Sequence, residues 1–311
     1  MEEKERTKKP TAGEMHQTFQ SLSLSDDFLF GKVMGDQEVC RVTLENILGV
    51  PISRIGVPAV EHVIDLLHDK KSIRLDVYVA DENGDVYNCE MQTGRARELP
   101  RRARYYHGCM DLDVLMKGQK YEALAKSFVI FICTFDPFNE GRYVYTFRNM
   151  CDEAPGLAMD DGSHTIFLNT RGTVGDVSAA MKEFLAYVED SSDEFAAAAG
   201  SEWVKQLHCR MKKIKESKEL EAEYMKSYLT YLENVEEGIK LGEERGMEEG
   251  IKLGEERAAV VWQTVLTERE NVISEQSTRL SEKDDIITKK DGLLHEQEAR
   301  IKELMEKLAA M

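Results

Sequence analysis

A chain of 311 residues is long enough for one sizeable core and a separate extension. Its formal net charge of −17 excludes a protein coated in basic surface, so any contact with nucleic acid must come from a local patch. Hydrophobic residues make up 42%, which suits a globular domain, while the 32% that are charged exceed the usual share and point to a long solvated element.

Residues 1–21 are polar and predict a flexible N-terminus. The first ten carry both signs of charge and no apolar run, which predicts that they are not a signal peptide and that the protein is cytoplasmic. From Ser25 onward Phe28, Val33, Leu44, Ile47 and Leu48 fall at helical spacings, with Ser25 or Asp26 as N-cap and Gly49-Val50-Pro51 as the stop. Residues 60–67 read as a strand, and 73–79 as a better one: Ile73, Leu75, Val77 and Val79 alternate with Arg74, Asp76 and Tyr78. Asn83-Gly84 marks a turn, and 86–92 is the returning strand. A helix over 97–116 ends before Gly118, and a short one over 121–126 precedes the strongest buried-strand signal, 128–135, closed by Pro137. The longest apolar run, 128–134, is far too short to cross a bilayer. Residues 143–147 and 165–168 read as strands, 177–188 as an amphipathic helix, and everything beyond Ser201 as helix. The pattern predicts a mixed α/β or α+β domain over 22–200, a helical segment over 201–257 and a coiled coil over 258–311.

The tail has two parts. The decapeptide at 236–245 recurs unchanged at 248–257, with Gly238, Gly242, Gly246, Gly250 and Gly254 spaced by four. In water these glycines weaken a helix by roughly 0.8–1 kcal/mol each relative to Ala. They serve either close approach between chains or nothing beyond a repeat-expanded helix. Next, Leu266, Ile273, Leu280, Ile287, Leu294, Ile301 and Leu308 recur every seventh residue. That row is a coiled-coil seam, weakened because its second row holds Arg269, Gln276, Lys283, Lys290 and Gln297. A homo-oligomer is expected.

The hairpin over 73–92 carries the chemistry. A two-residue Asn83-Gly84 loop would place Asp76 and Glu90 on opposite faces. A three-residue loop, Glu82-Asn83-Gly84, with Gly84 left-handed, would pair them directly. Two carboxylates so close repel unless a cation lies between them, and a hard divalent ion would relieve the repulsion. The competing reading is a solvated strand face. Just beyond, Arg95, Arg97, Arg101, Arg102 and Arg104 face a single acid, Glu98, and Arg97, Arg101 and Arg104 are spaced to share one face. This is either a solvated helix face or a phosphate-binding patch.

Arg74-Leu-Asp76-Val-Tyr-Val followed by Tyr87-Asn-Cys-Glu90-Met-Gln92 resembles the D…E-x-Q signature of the PD-(D/E)XK nuclease family transposases, the recombination-promoting nucleases. The flanks are similar too: Leu24-Ser-Asp-Asp27-Phe-Leu-Phe, Arg104-Tyr-Tyr106, Lys117-Gly-Gln-Lys-Tyr121, Phe131-Ile-Cys-Thr-Phe-Asp-Pro-Phe138, and the glycine-glutamate repeat. The resemblance implies a restriction-endonuclease-like core, a mixed sheet flanked by helices, and a metal-dependent DNA endonuclease using Mg²⁺ or Mn²⁺. It implies Asp76, Glu90 and the Met91 carbonyl as metal ligands, and Asp27 as an additional acid, with Asp26 and Glu45 as rivals. Gln92 stands where many such enzymes keep a lysine; it would position the nucleophile, with Arg95, Arg97, Arg101 and Arg104 on DNA. An inactive relative acting as an oligomeric DNA-binding or scaffold protein is the alternative. A covalent mechanism through Tyr105 or Tyr106 ranks below both.

Overall fold

The computed structural model describes residues 10–64, 72–94 and 97–309. It divides into a unit ending at Leu229 and a second from Thr230 onward.

The first unit is built on six strands: β1 (Ala59–Ile64), β2 (Ile73–Ala80), β3 (Val86–Gln92), β4 (Ser127–Cys133), β5 (Val144–Phe147) and β6 (Ser163–Asn169). Their order across the sheet is β1-β2-β3-β4-β6-β5. β3, β4 and β6 run parallel at the centre, and the remaining pairs are antiparallel. A parallel centre needs cover on both faces, hence the continuous apolar run of β4. One face is covered by α2 (Asp27–Met34), α3 (Gln37–Leu48), α5 (Ala179–Glu189) and α7 (Glu202–Lys215), which bury Phe30, Leu44, Phe184 and Trp203 against Val77, Cys89, Ile130 and Leu168. The other is covered by α4 (Leu99–Val114), whose Leu99, Ala103, Tyr106 and Met110 pack on Leu75, Val129, Phe131 and Phe167.

The single helical segment expected over 25–48 is two helices. Asp36 accepts from the Glu38 and Val39 N–H groups and restarts the chain as α3, which ends at Gly49 with φ 68°. The 97–116 helix is shorter at both ends, and the expected 121–126 helix is a single 3-10 turn, Tyr121–Ala123. The strand expected over 60–67 is described to Ile64, and its remainder lies outside the described residues.

Two expected boundaries are corrected. Within the N-terminus expected to be flexible (1–21), residues Ala12–Ser21 form helix α1, begun by a reciprocal capping box between Thr11 and Glu14. Its polar sequence hides two anchors: Met15 is buried, and Phe19 is fully buried, 5.4 Å from the ring of Tyr224. The boundary expected at 200 moves to Leu229, because α7 inserts Trp203, Val204, Leu207, Met211 and Ile214 into the core and Tyr224 follows them. A short helix, α6 (Asp193–Ala198), which the sequence did not announce, precedes α7. Among the described residues the second unit is all helix: α8 starts at Lys218, in the first unit, and continues to Ala309. No described helix is long and apolar enough to cross a membrane.

Candidate active site

The register of β2 on β3 follows from the loop between them. Val77 pairs with Cys89 and Ala80 with Val86, and Gly84, at φ 82°, closes the three-residue loop Glu82-Asn83-Gly84. One step beyond Val77 and Cys89, the same register sets Asp76 opposite Glu90. There the backbone ladder stops and the two carboxylates replace it. The Asp76 N–H donates to Glu90 Oε1 at 3.1 Å, and the Met91 N–H donates to Asp76 Oδ2 at 3.2 Å. Each acid thus completes the hydrogen bonding of the other strand. β2 also changes faces here: Val77 and Val79 pack with the α2 side, whereas Ile73 and Leu75 pack with α4. Strict alternation would keep all four on one face, so Asp76 sits at a local break in the pleat.

Both acids are held above the ordinary carboxylate range. For Glu90, 1% exposed, burial is the main cause and the Asp76 charge adds to it. For Asp76 burial again dominates, opposed by the Met91 N–H and reinforced by the charge of Asp27. Asn88, fully buried, donates from Nδ2 to Glu90 Oε1 at 3.1 Å, leaving its Oδ1 without a partner among the described residues.

The cation beside this pair is one the sequence reading passed over. Arg102 of α4 donates from Nη2 to Glu90 Oε2 at 3.0 Å and from Nη1 to Gln92 Oε1 at 3.1 Å. Gln92 in turn donates from Nε2 to the Met91 carbonyl at 2.8 Å. The guanidinium lies over the rings of Tyr106 and Phe131, 5.4 and 5.7 Å from their centroids, and also donates to the Tyr106 hydroxyl. A signal for it existed: Arg102 falls on the same stripe as Leu99, Ala103, Tyr106 and Met110, a lone charge on the buried face of a helix. Arg97, Arg101 and Arg104 are instead exposed, and Arg95 lies outside the described residues.

Asp27 opens α2 and lies close enough to raise the Asp76 pKa. Its rivals are occupied elsewhere. Asp26 caps α2 through the Leu29 N–H, and Glu45 is tied to Arg41 and the Ile52 N–H. Among the described residues no three His, Cys, Asp or Glu side chains form a metal cluster, so Asp27 does not join Asp76 and Glu90 in a ready triad. Burial also pushes the Tyr106 hydroxyl pKa up, which makes it a poor nucleophile.

A sequence model of the PD-(D/E)XK nuclease family transposases matches residues 25–249. The chain belongs to this family. The match takes in the whole sheet, the Asp76–Glu90 hairpin, α4 and the first copy of the glycine repeat. No curated protein and no solved structure gave a match. PD-(D/E)XK nucleases generally use divalent metal ions. The donors present suit one: two carboxylates whose ionised forms are disfavoured by burial, the Met91 carbonyl, and an orphaned amide oxygen on Asn88 are all hard oxygens.

Proposed function

We propose that this family member is a metal-dependent DNA endonuclease in which Asp76, Glu90 and the Met91 carbonyl would hold Mg²⁺ or Mn²⁺. The observation that carries the reading is the buried Glu90 and half-buried Asp76, each accepting a backbone N–H of the other strand where β2 leaves β3. The divalent ion supplies Lewis acidity, which activates water and polarises the scissile phosphate.

The chain's own groups do the rest. Arg102 brings a fixed positive charge next to Glu90, where negative charge builds on the phosphate, and two aromatic rings keep it in place. Gln92 cannot carry charge, but its amide is held at both ends, by Arg102 and by the Met91 carbonyl. It orients the attacking water while Arg102 provides the charge that a lysine at position 92 would provide. Asp27 keeps further negative charge at the rim. Arg95, Arg97, Arg101 and Arg104 would contact the DNA backbone, a local basic patch in a chain of net charge −17. The heptad row of the tail makes the protein a homo-oligomer, and its place of action would be the cytoplasm.

Plasmid nicking with Mg²⁺, Mn²⁺ or EDTA tests the reading. Asp76→Asn and Glu90→Gln remove charge yet can still accept the strand-bridging hydrogen bonds, so they should abolish cleavage without unfolding the protein. Gln92→Lys should retain it. Cleavage that persists undiminished in excess EDTA overturns the mechanism.

A further inference from the structure

On the α4 side of the acid pair lies a cavity of about 350 Å³, a volume in the range of small-ligand sites. Its walls include Arg74, Arg101, Arg102, Tyr105 and Tyr106, with Glu98 as the opposing charge. Arg102 is paired with Glu90 at 3.0 Å and Arg74 with Glu61 at 3.7 Å, so the positive charge open to an anion is that of the exposed Arg101 and Arg74. Tyr106 is 7% exposed and secures Arg102, but Tyr105 is 40% exposed and lines the hollow. Flat and anionic together describe a nucleotide. Arg102 belongs to both sites, since it lines this cavity and donates to Glu90 at 3.0 Å. A group bound here therefore adjoins the acid pair.

Inside a duplex the face of a base is hidden by its stacked neighbours, so a tyrosine ring can reach it only when the nucleotide is unstacked. We propose that this cavity is a subsite for one unstacked DNA nucleotide next to the phosphodiester that is cut, with Tyr105 stacking on the base and Arg101 and Arg74 holding its phosphate. The preferred substrate then carries a single-stranded or unpaired position there. The location of the cut rests on the nuclease reading; the binding does not.

Full-length protein in EDTA, where nothing is cut, is titrated into a labelled single strand of about 12 nucleotides and into a matched hairpin duplex, followed by fluorescence anisotropy. Tighter binding of the single strand is expected. Tyr105→Ala should weaken that binding about 10-fold, leave the hairpin within about 2-fold, and keep the salt dependence unchanged. Tyr105→Phe should restore binding. Arg101→Ala should weaken both substrates and lower the salt slope by about one. Tyr105→Ala binding the single strand as wild type does, or losing both substrates equally, overturns the subsite. Wild-type protein that binds through Tyr105 but nicks no plasmid with Mg²⁺ or Mn²⁺ removes the nuclease reading and leaves the subsite standing.

Discussion

Strand β3 and the tail meet water in opposite ways. From Val86 to Met91 every residue of β3 is buried, between β2, β4 and helices on both faces of the sheet. In the second unit Leu266, Ile273, Leu280, Ile287, Leu294 and Ile301 are each at least 52% exposed. In β3 the chain supplies every neighbour itself. A polar side chain there must find partners, and Glu90 collects the Asp76 N–H, Asn88 and Arg102. In the tail the apolar row stays exposed, and a second copy is the partner we propose for it. The same hydrophobic effect therefore fixes the surroundings of Glu90 in one region and leaves an apolar row uncovered in the other. The two halves of the tail differ as well. Seven residues return a side chain to within about 20° on a helix, so the heptad row stays on one face. The twelve-residue repeat advances by about 120°, so Ile239 and Ile251 diverge and no continuous stripe forms.

The sharpest way to break this contrast is to cut the tail off. Truncation before Ala258 should convert an oligomer to a monomer whose core keeps its melting temperature; light scattering with calorimetry checks both. Full-length protein that stays monomeric at micromolar concentration means the heptad row is not a seam. Next in size, Phe19→Ala should cost the core about 3–5 kcal/mol in urea unfolding, because Phe19 is fully buried against Tyr224. Leu280→Ala, equally apolar but exposed, should leave core stability alone and weaken association only. A smaller effect is expected at the site. Arg102→Ala should lower the cleavage rate roughly 100-fold, and Arg102→Lys should recover part of it; a wild-type rate in Arg102→Ala removes this residue from the mechanism. The smallest effect distinguishes the roles of the glycines. A Cβ added at Gly242 or Gly250 meets nothing within 4 Å in the isolated chain. Gly242→Ala should therefore stabilise the helix by about 0.8–1 kcal/mol. If association weakens instead, the glycines serve close approach between chains.

The strands were legible because alternation in β2 and the apolar run of β4 are local patterns, but two loop lengths fit the sequence, and only the folded hairpin, with Val77 on Cys89 and Gly84 left-handed, selects the three-residue loop. Helix α1 was not, because two buried side chains, Met15 and Phe19, outweigh eight mostly polar or small neighbours only once Tyr224 stands beside Phe19. Arg102 was hidden by its company: it is one of five arginines between 95 and 104, and its place on the apolar stripe of α4 is what sets it apart.

The sequence alone determines the sheet-forming segments, the resemblance to the family and the seven-residue apolar row, since each depends on residues near one another or on a repeating interval; it leaves the hairpin with two possible registers. Only the tertiary structure decides which cation serves Glu90, how far the core extends past residue 200, and that α1 belongs to it. The first depends on how α4 packs on the sheet, and the other two on contacts such as Phe19 with Tyr224 and Trp203 with Thr43, separated by well over a hundred residues. Their energy exists only after the chain has closed those distances, and no local pattern records it.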